Sequence, residues 1–297
     1  MNLQKQLEFS GHNAAVYSLA FDGTFLYSGS ADSFVARWDL TLGVQDKFAI
    51  KADAPVYAVA TANAGKLLLM GLSTGAIHII DVLEKKELRF IQQHPSAVFY
   101  IIENPIKKHV YSSDASGNLA VWNAGNFDLL LFIPVDCGKI RRIVVSPDGE
   151  SIVLCCQDGN IRVLDTTFFN ETHNFYAHEN GTNSGTFIGS NLLLSGGKDA
   201  MFRLWNLDTK EVRLEIPAHN FAIYDLVFMN GLNKLISCSR DKTIKVWNVE
   251  DLSIDQRIDR KVGGHFHSVN AICEMDKHRF ATCSDDKRIV VWKIGDN

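Results

Sequence analysis

The tryptophans of this chain fall on a comb. Trp38, Trp122, Trp205, Trp247 and Trp292 are the only five it has, and Ile80 and Leu164 fill the two gaps between them. Successive teeth are then 42, 42, 42, 41, 42 and 45 residues apart. A period of that length, held along a chain of 297 residues, restricts the fold to copies of one supersecondary unit. Each copy can bury its apolar face only against the next. The unit is plainest from Ser237 to Asn248: a strand, a polar turn at Arg240-Asp241-Lys242, then a strand ending on Trp247. The same pattern ends on Trp38, Trp205 and Trp292.

Three further sets of teeth keep the register. Six residues before the Trp position stand Asp32, Thr74, Ser116, Asp158, Asp199, Asp241 and Asp286. Ten residues before it stand Ser28, Met70, Ser112, Leu154, Ser195, Ser237 and Thr282. His12, His94, His178, His219 and His265 precede it by 26 to 28 residues, two of them in Gly-His pairs, Gly11-His12 and Gly264-His265. A Gly-His pair near the start and a Trp-Asp pair near the end of a repeat of this length resemble the WD-repeat β-propeller family. The resemblance runs over the whole chain, although Trp38-Asp39 is the one literal Trp-Asp. It implies an all-β fold, a seven-bladed propeller of four-stranded antiparallel blades.

The resemblance also implies that His, Ser or Thr, Asp and Trp form one hydrogen-bonded set inside a blade. Indole N–H only donates, a hydroxyl donates and accepts, and a carboxylate orients the imidazole. A buried member left without its partner costs about 1–3 kcal/mol, so the set should be kept or discarded whole. Repeats 1, 5, 6 and 7 keep it: His12/Ser28/Asp32/Trp38, His178/Ser195/Asp199/Trp205, His219/Ser237/Asp241/Trp247 and His265/Thr282/Asp286/Trp292. Repeat 3 has His94, Ser112 and Trp122 with Ser116 in the Asp place, an expected gap in its set. Repeats 2 and 4 replace the set by apolar pairs, Met70 with Ile80 and Leu154 with Leu164, and Asp158 is assigned to the turn Gln157-Asp158-Gly159. These constellations contain the residues of a hydrolytic triad, but a triad occurs once, beside an oxyanion hole. Copies on a strict period are scaffolding, and no catalytic residue is assigned.

Along the chain, residues 3–9 alternate polar and apolar as a half-buried strand does. The chain stops just after the third strand of repeat 7, so residues 1–9 are expected to supply the outer strand of the blade formed by 265–297. That closes the ring and leaves no open edge between its ends. Strands are expected near 15–21, 24–29, 34–39 and 44–50 in repeat 1, and at 56–60, 66–70 and 77–80 in repeat 2. Residues 183–187 are poor in β-branched residues, which predicts an irregular first strand in repeat 5. A long connection from Asp255 to Gly264 accounts for the 45-residue gap. Phe168-Phe169 and Phe175-Tyr176 are expected to pack between blades. No linker or low-complexity tract appears, so residues 1–297 are read as a single domain.

The bulk chemistry argues against several classes. Formal net charge is −4, against a nucleic-acid or anionic-membrane partner. No apolar run reaches the roughly 18 residues of a membrane-spanning helix, and MNLQKQLEF has no signal-peptide core. The six cysteines lack C-x-x-C spacing. They are read as buried reduced thiols of a cytoplasmic protein, which makes the two Asn-x-Thr sequons at Asn170 and Asn180 incidental. His78, His109, His173, His267 and His278 lie off the comb without zinc spacing and are assigned to surface or turns. No metal and no cofactor is expected.

What remains is a non-catalytic interaction scaffold or adaptor. If the resemblance holds, two sets of positions project around the channel mouth. One is Tyr17, Tyr57, Phe99, Arg141, Asn183, Tyr224 and Asn270; the other is Ala31, Ser73, Ala115, Gln157, Lys198, Arg240 and Asp285. Aromatic and Arg side chains dominate binding hot spots, so Tyr17, Tyr57, Phe99, Arg141, Lys198, Tyr224 and Arg240 are the candidate partner-binding residues. The partner is read as a protein or peptide, with acidic groups suited to the basic trio, and the chain alone as a monomer. The alternatives are an enzyme or sensor with a small ligand in the channel, and a nucleic-acid binder using a local basic face.

Overall fold

The computed structural model describes residues 3–295. Its strands form seven separate four-stranded antiparallel sheets, a seven-bladed β-propeller. Blade 1 runs Val16–Phe21, Phe25–Ser30, Phe34–Asp39 and Val44–Lys51, matching the strands read from the sequence within a residue or two. The first strand of each blade lines the central channel and the fourth lies outside. The outer strand of blade 7 is Leu3–Ser10, which pairs antiparallel with Arg288–Ile294. The two ends of the chain thus close the ring; Met1 and Asn2 lie outside the described residues.

Blades hold together through seven apolar clusters, one at each seam. Between blades 1 and 2, Tyr27, Val35 and Phe48 meet Val56, Leu68 and Met70. Between blades 7 and 1, Phe9, Ile289 and Val291 meet Val16, Leu26 and Trp38. The alternating strands supply one apolar face to each seam. Met70 and Leu154, which replace the hydroxyl in blades 2 and 4, are fully buried in these clusters.

The polar sets sit inside the blades. In blade 6 the Trp247 indole N–H donates to Ser237 Oγ at 2.8 Å, Ser237 Oγ lies 2.7 Å from His219 Nε2, and His219 Nδ1 is 3.0 Å from Asp241. Ser237 Oγ already accepts from the indole, so its hydroxyl proton is free to go to His219 Nε2. Nδ1 then carries the ring proton and donates to the carboxylate. Blades 1, 5 and 7 repeat the arrangement. Ser28, Ser112, Ser195, Ser237 and Thr282 are all 0% exposed, which removes them from any substrate.

Blade 3 departs from expectation. His94 Nδ1 is 2.9 Å from Asp114, two positions before Ser116, so its set is complete with a different acid. Ser116 instead donates its hydroxyl to Ser96 at 2.8 Å. The inner strand of blade 5 is also regular, Thr182–Ile188, and buried over its first half. Its small polar side chains have partners: Thr182 donates to the Gly159 carbonyl, Asn183 to the Ile223 carbonyl and Ser184 to Asp225. Satisfied polar groups replace the missing apolar ones. In blade 6 the outer strand Ile254–Ile258 takes up the first four residues of the expected connection, and a 3₁₀ turn at Arg260–Val262 follows.

Other expectations divide. Asp158 does serve its turn, accepting from the Asn160 amide and from Arg162. Phe169 packs on Tyr111 of blade 3 and Phe175 packs tilted against Trp205 of blade 5, while Phe168 and Tyr176 are exposed. His78, His109 and His173 lie within strands and are half-buried, rather than in turns or open surface. His109 packs edge-on to Tyr111 and tilted against Phe169 at a seam, and burial with Lys107 nearby lowers its pKa. All six cysteines are free thiols, five buried and Cys273 half-buried.

Candidate functional site

One backbone irregularity recurs in every blade. Pairing between the inner strand and its neighbour slips between Val16 and Ser18, Val56 and Ala58, Val98 and Tyr100, and Ile140 and Arg142. It slips likewise between Thr182 and Ser184, Ile223 and Asp225, and Val269 and Ala271. The skipped residues are Tyr17, Tyr57, Phe99, Arg141, Asn183, Tyr224 and Asn270. A bulge of this kind re-aims the side chain of its extra residue. Here all seven line a cavity of about 730 Å³ along the ring axis.

The second set of positions is fixed beside the first by one backbone hydrogen bond per blade. The amides of Ala31, Ser73, Ala115, Gln157, Lys198, Arg240 and Asp285 donate to the carbonyls of Ala15, Pro55, Ala97, Lys139, Gly181, Ala222 and Ser268. Each acceptor stands two residues before a bulge residue. Both sets therefore share one end of the channel, as the sequence suggests.

The side chains at that mouth form a graded arc. Tyr17 meets Tyr57 edge-on at 5.0 Å between ring centroids, and Tyr57 stacks on Phe99 at 5.6 Å and 7°. Arg141 and Lys139 both lie over the Phe99 ring, at 5.2 and 5.5 Å from its centroid. Lys198 follows on blade 5 and Arg240 on blade 6, the latter 6.0 Å over Phe221. Among the described residues none of these four cations forms an ion pair. Burial lowers the pKa of Arg141, and burial together with Arg141 and Lys139 lowers that of Lys198. At the far side Asn270 ties Asp285 to the Val16 carbonyl, and the Tyr17 hydroxyl is raised by burial and by its neighbours Tyr57 and Asp285.

Below the mouth the channel is crossed by a strut. Arg142 of blade 4 donates to Asp225 of blade 6 at 2.6 Å. Asp225 also accepts from Ser184 of blade 5 at 3.1 Å and from the Ile272 amide of blade 7 at 2.9 Å. Burial opposes the charge on Arg142, but Asp225 and Tyr100 outweigh it and raise its pKa. Four blades meet on this one carboxylate, so the pair is built for position.

Of the seven residues singled out by sequence, Tyr17, Tyr57, Phe99, Arg141 and Tyr224 line the cavity, and Lys198 and Arg240 stand on the adjoining turns outside it. Sequence reasoning missed Lys139, Arg142 and Asp225. The run Lys139-Ile140-Arg141-Arg142 carried a visible signal, three cations in four residues. Asp225 carried none, since its partner is 83 positions away. Among the described residues no group of three or more His, Cys, Asp and Glu side chains could hold a metal ion. No helix among them is long and apolar enough to cross a membrane.

Comparison with known proteins gives a consistent placement. The family described as "WD domain, G-beta repeat" matches residues 3–39, 210–248 and 257–293. The chain is 26% identical to kinesin-like protein KIF21B of Homo sapiens over 95% of its own length and 19% of that protein's. It is 23% identical to WD repeat-containing protein 55 of Rattus norvegicus, covering 95% of this chain and 76% of the relative. It is 24% identical to striatin-3 of Homo sapiens, covering 80% and 34%. The chain thus spans about a fifth of the kinesin-like relatives it matches.

Proposed function

We propose that this chain, which belongs to the WD-repeat β-propeller family, is a non-catalytic scaffold that binds a protein or peptide at the bulged mouth of its channel. One observation carries the reading. The same bulge aims a side chain at the axis in every blade, and the occupants are aromatic in blades 1, 2, 3 and 6 and cationic in blade 4. Rigid aromatics and Arg supply most binding energy in interfaces, and here they sit preassembled, with little ordering left to do on contact. The recurrent Ser and His side chains are committed to one another, which leaves the blades with a supporting role. The Arg142 and Asp225 charges below the mouth are committed to each other. In this reading residues 1–297 act as one domain, monomeric without its partner. Free thiols at every cysteine favour a cytoplasmic setting.

The test is the double variant Tyr57→Ala, Arg141→Ala, used as bait in affinity capture from native extract beside the unaltered protein. Partners held by the unaltered protein should be lost, while circular dichroism and thermal midpoint show a folded ring. Undiminished capture by a folded double variant would place the binding surface elsewhere.

A further inference from the structure

The mouth is divided along its circumference. Blades 1, 2 and 3 present Tyr17, Tyr57 and Phe99 as a continuous aromatic shelf. Blades 4, 5 and 6 follow with Lys139, Arg141, Lys198 and Arg240. Several arginines elsewhere in the blades are held by a carboxylate. Arg37 pairs with Asp46, Arg162 with Asp158, Arg203 with Asp199, and Arg288 with Asp286. Among the described residues none of the four mouth cations forms an ion pair, the mouth carboxylate Asp285 being held by Asn270 on blade 7, and Lys139 and Arg141 crowd over a single ring. Like charges held together without counter-charge are stabilised by whatever anion arrives.

The geometry points to an acidic peptide as the partner: an extended segment with an aromatic or aliphatic side chain on the Tyr17–Tyr57–Phe99 shelf, followed by two or more Asp or Glu carboxylates along Lys139, Arg141, Lys198 and Arg240. This rests on the mouth being the binding surface and adds the chemistry and direction of the occupant. The cations lie on three successive blades, an arc that suits carboxylates spread along an extended chain. The continuous shelf lies at one end of that arc, with Tyr224 the one aromatic among the cations, so the main apolar residue of the partner stands next to its acidic run. A nucleic-acid strand is also an anion with stacking faces. It would require a longer run of cations to follow its phosphates, whereas this arc ends at Asp285 and the chain as a whole carries −4.

The probe is a fluorescein-labelled synthetic peptide of sequence Phe-Leu-Gly-Asp-Glu-Asp-Glu, followed by fluorescence anisotropy at low ionic strength. Its comparators have Lys for the acids, Ser for the apolar pair, or are replaced by single-stranded oligothymidylate. The acidic-apolar peptide should bind, and each altered peptide should bind about tenfold more weakly or not at all. Added salt should weaken the complex, since Lys198 and Arg240 are exposed. The variant Lys139→Glu, Lys198→Glu, Arg240→Glu changes two exposed residues and the half-buried Lys139 and should lose the acidic peptide. Lys139→Arg with Lys198→Arg should retain it. The proposal is overturned if the unaltered protein does not bind the acidic peptide, binds the Lys peptide as well, or prefers the oligonucleotide. Capture from native extract separates the two levels. Loss of partner in Tyr57→Ala, Phe99→Ala but not in the charge-reversed protein keeps the mouth and refutes the acidic partner; retention in both refutes the mouth as well.

Discussion

Replacing Asp225 by Ala removes one side chain from the junction of four blades. Its carboxylate is 3% exposed and the Arg142 side chain that it pairs with is 19% exposed. Breaking a buried pair from one side costs about 3–5 kcal/mol, since the remaining charge stays buried. The one-fifth exposure of Arg142 to the channel favours the lower figure. The Ile272 amide loses its acceptor too, and an orphaned buried amide adds about 1–2 kcal/mol. The expected loss is about 4 kcal/mol, or about 10 °C in thermal midpoint for a chain of this size. Asp225→Asn keeps an acceptor and should lose about half as much. Arg142→Met combined with Asp225→Ala removes the stranded charge, so the double variant should be more stable than the sum of the two single losses by about 1.5 kcal/mol. Urea and thermal unfolding of the four proteins measure this cycle. A loss under about 1 kcal/mol for Asp225→Ala, or simple additivity in the double variant, would refute the strut as a shared clasp.

Three further outcomes follow from the same geometry. Ser237→Ala strands both the Trp247 indole and His219 Nε2 and should cost about 1–3 kcal/mol in urea unfolding; no change would mean the set is ornamental. Burial lowers the pKa of His178 and His219 below the ordinary 6.5, so below that value the unfolded chain takes up protons first. Their contribution is complete above pH 6.5 and is lost as pH falls. Burial works against Asp199 and Asp241, but the hydrogen bonds and charge of the His together with Arg203, Thr243 and backbone amides outweigh it and depress both carboxyls below 3.8, which adds a second loss in stronger acid. A thermal midpoint that stays level from neutrality through the histidine range would contradict the first step. Finally, a Cβ on Gly197 would stand 2.4 Å from His178 Cβ and Cγ, so Gly197→Ala should destabilise strongly, and much less in a His178→Ala background; equal losses in both would show the crowding to be irrelevant.

The last case shows what a comb can and cannot convey. The repeats, the closing strand and four of the polar sets were legible, because a buried network forces His, hydroxyl, Asp and Trp to change together. Blade 4 makes a related exchange that the comb hides. Cys137 stands in the His place and Cys156 in the place of Gly197, both buried, so the thiols fill space that imidazole takes in blade 5. Asp114 hides for another reason: a carboxylate two positions along the chain reaches the same imidazole, since the turn brings both positions within its reach. The candidate mouth was half legible. Its seven positions follow from the strand pattern, but the bulge that aims them is a backbone feature with no residue signature, occupied here by Tyr, Phe, Arg and Asn alike. The cation arc needed Lys139, which lies before the strand, to be brought over Phe99 by the fold.

The most direct measurement is site-specific photo-crosslinking in living cells. A photoreactive residue is placed at Tyr57 in one protein and at the exposed outer position Phe168 in another, and the adducts are resolved by size. Binding at the channel mouth gives discrete partner adducts from position 57 that are absent from position 168 and that disappear when Lys139, Lys198 and Arg240 are reversed to Glu. Adducts from position 168 alone would contradict it, and would move the interaction to the outer face of the propeller.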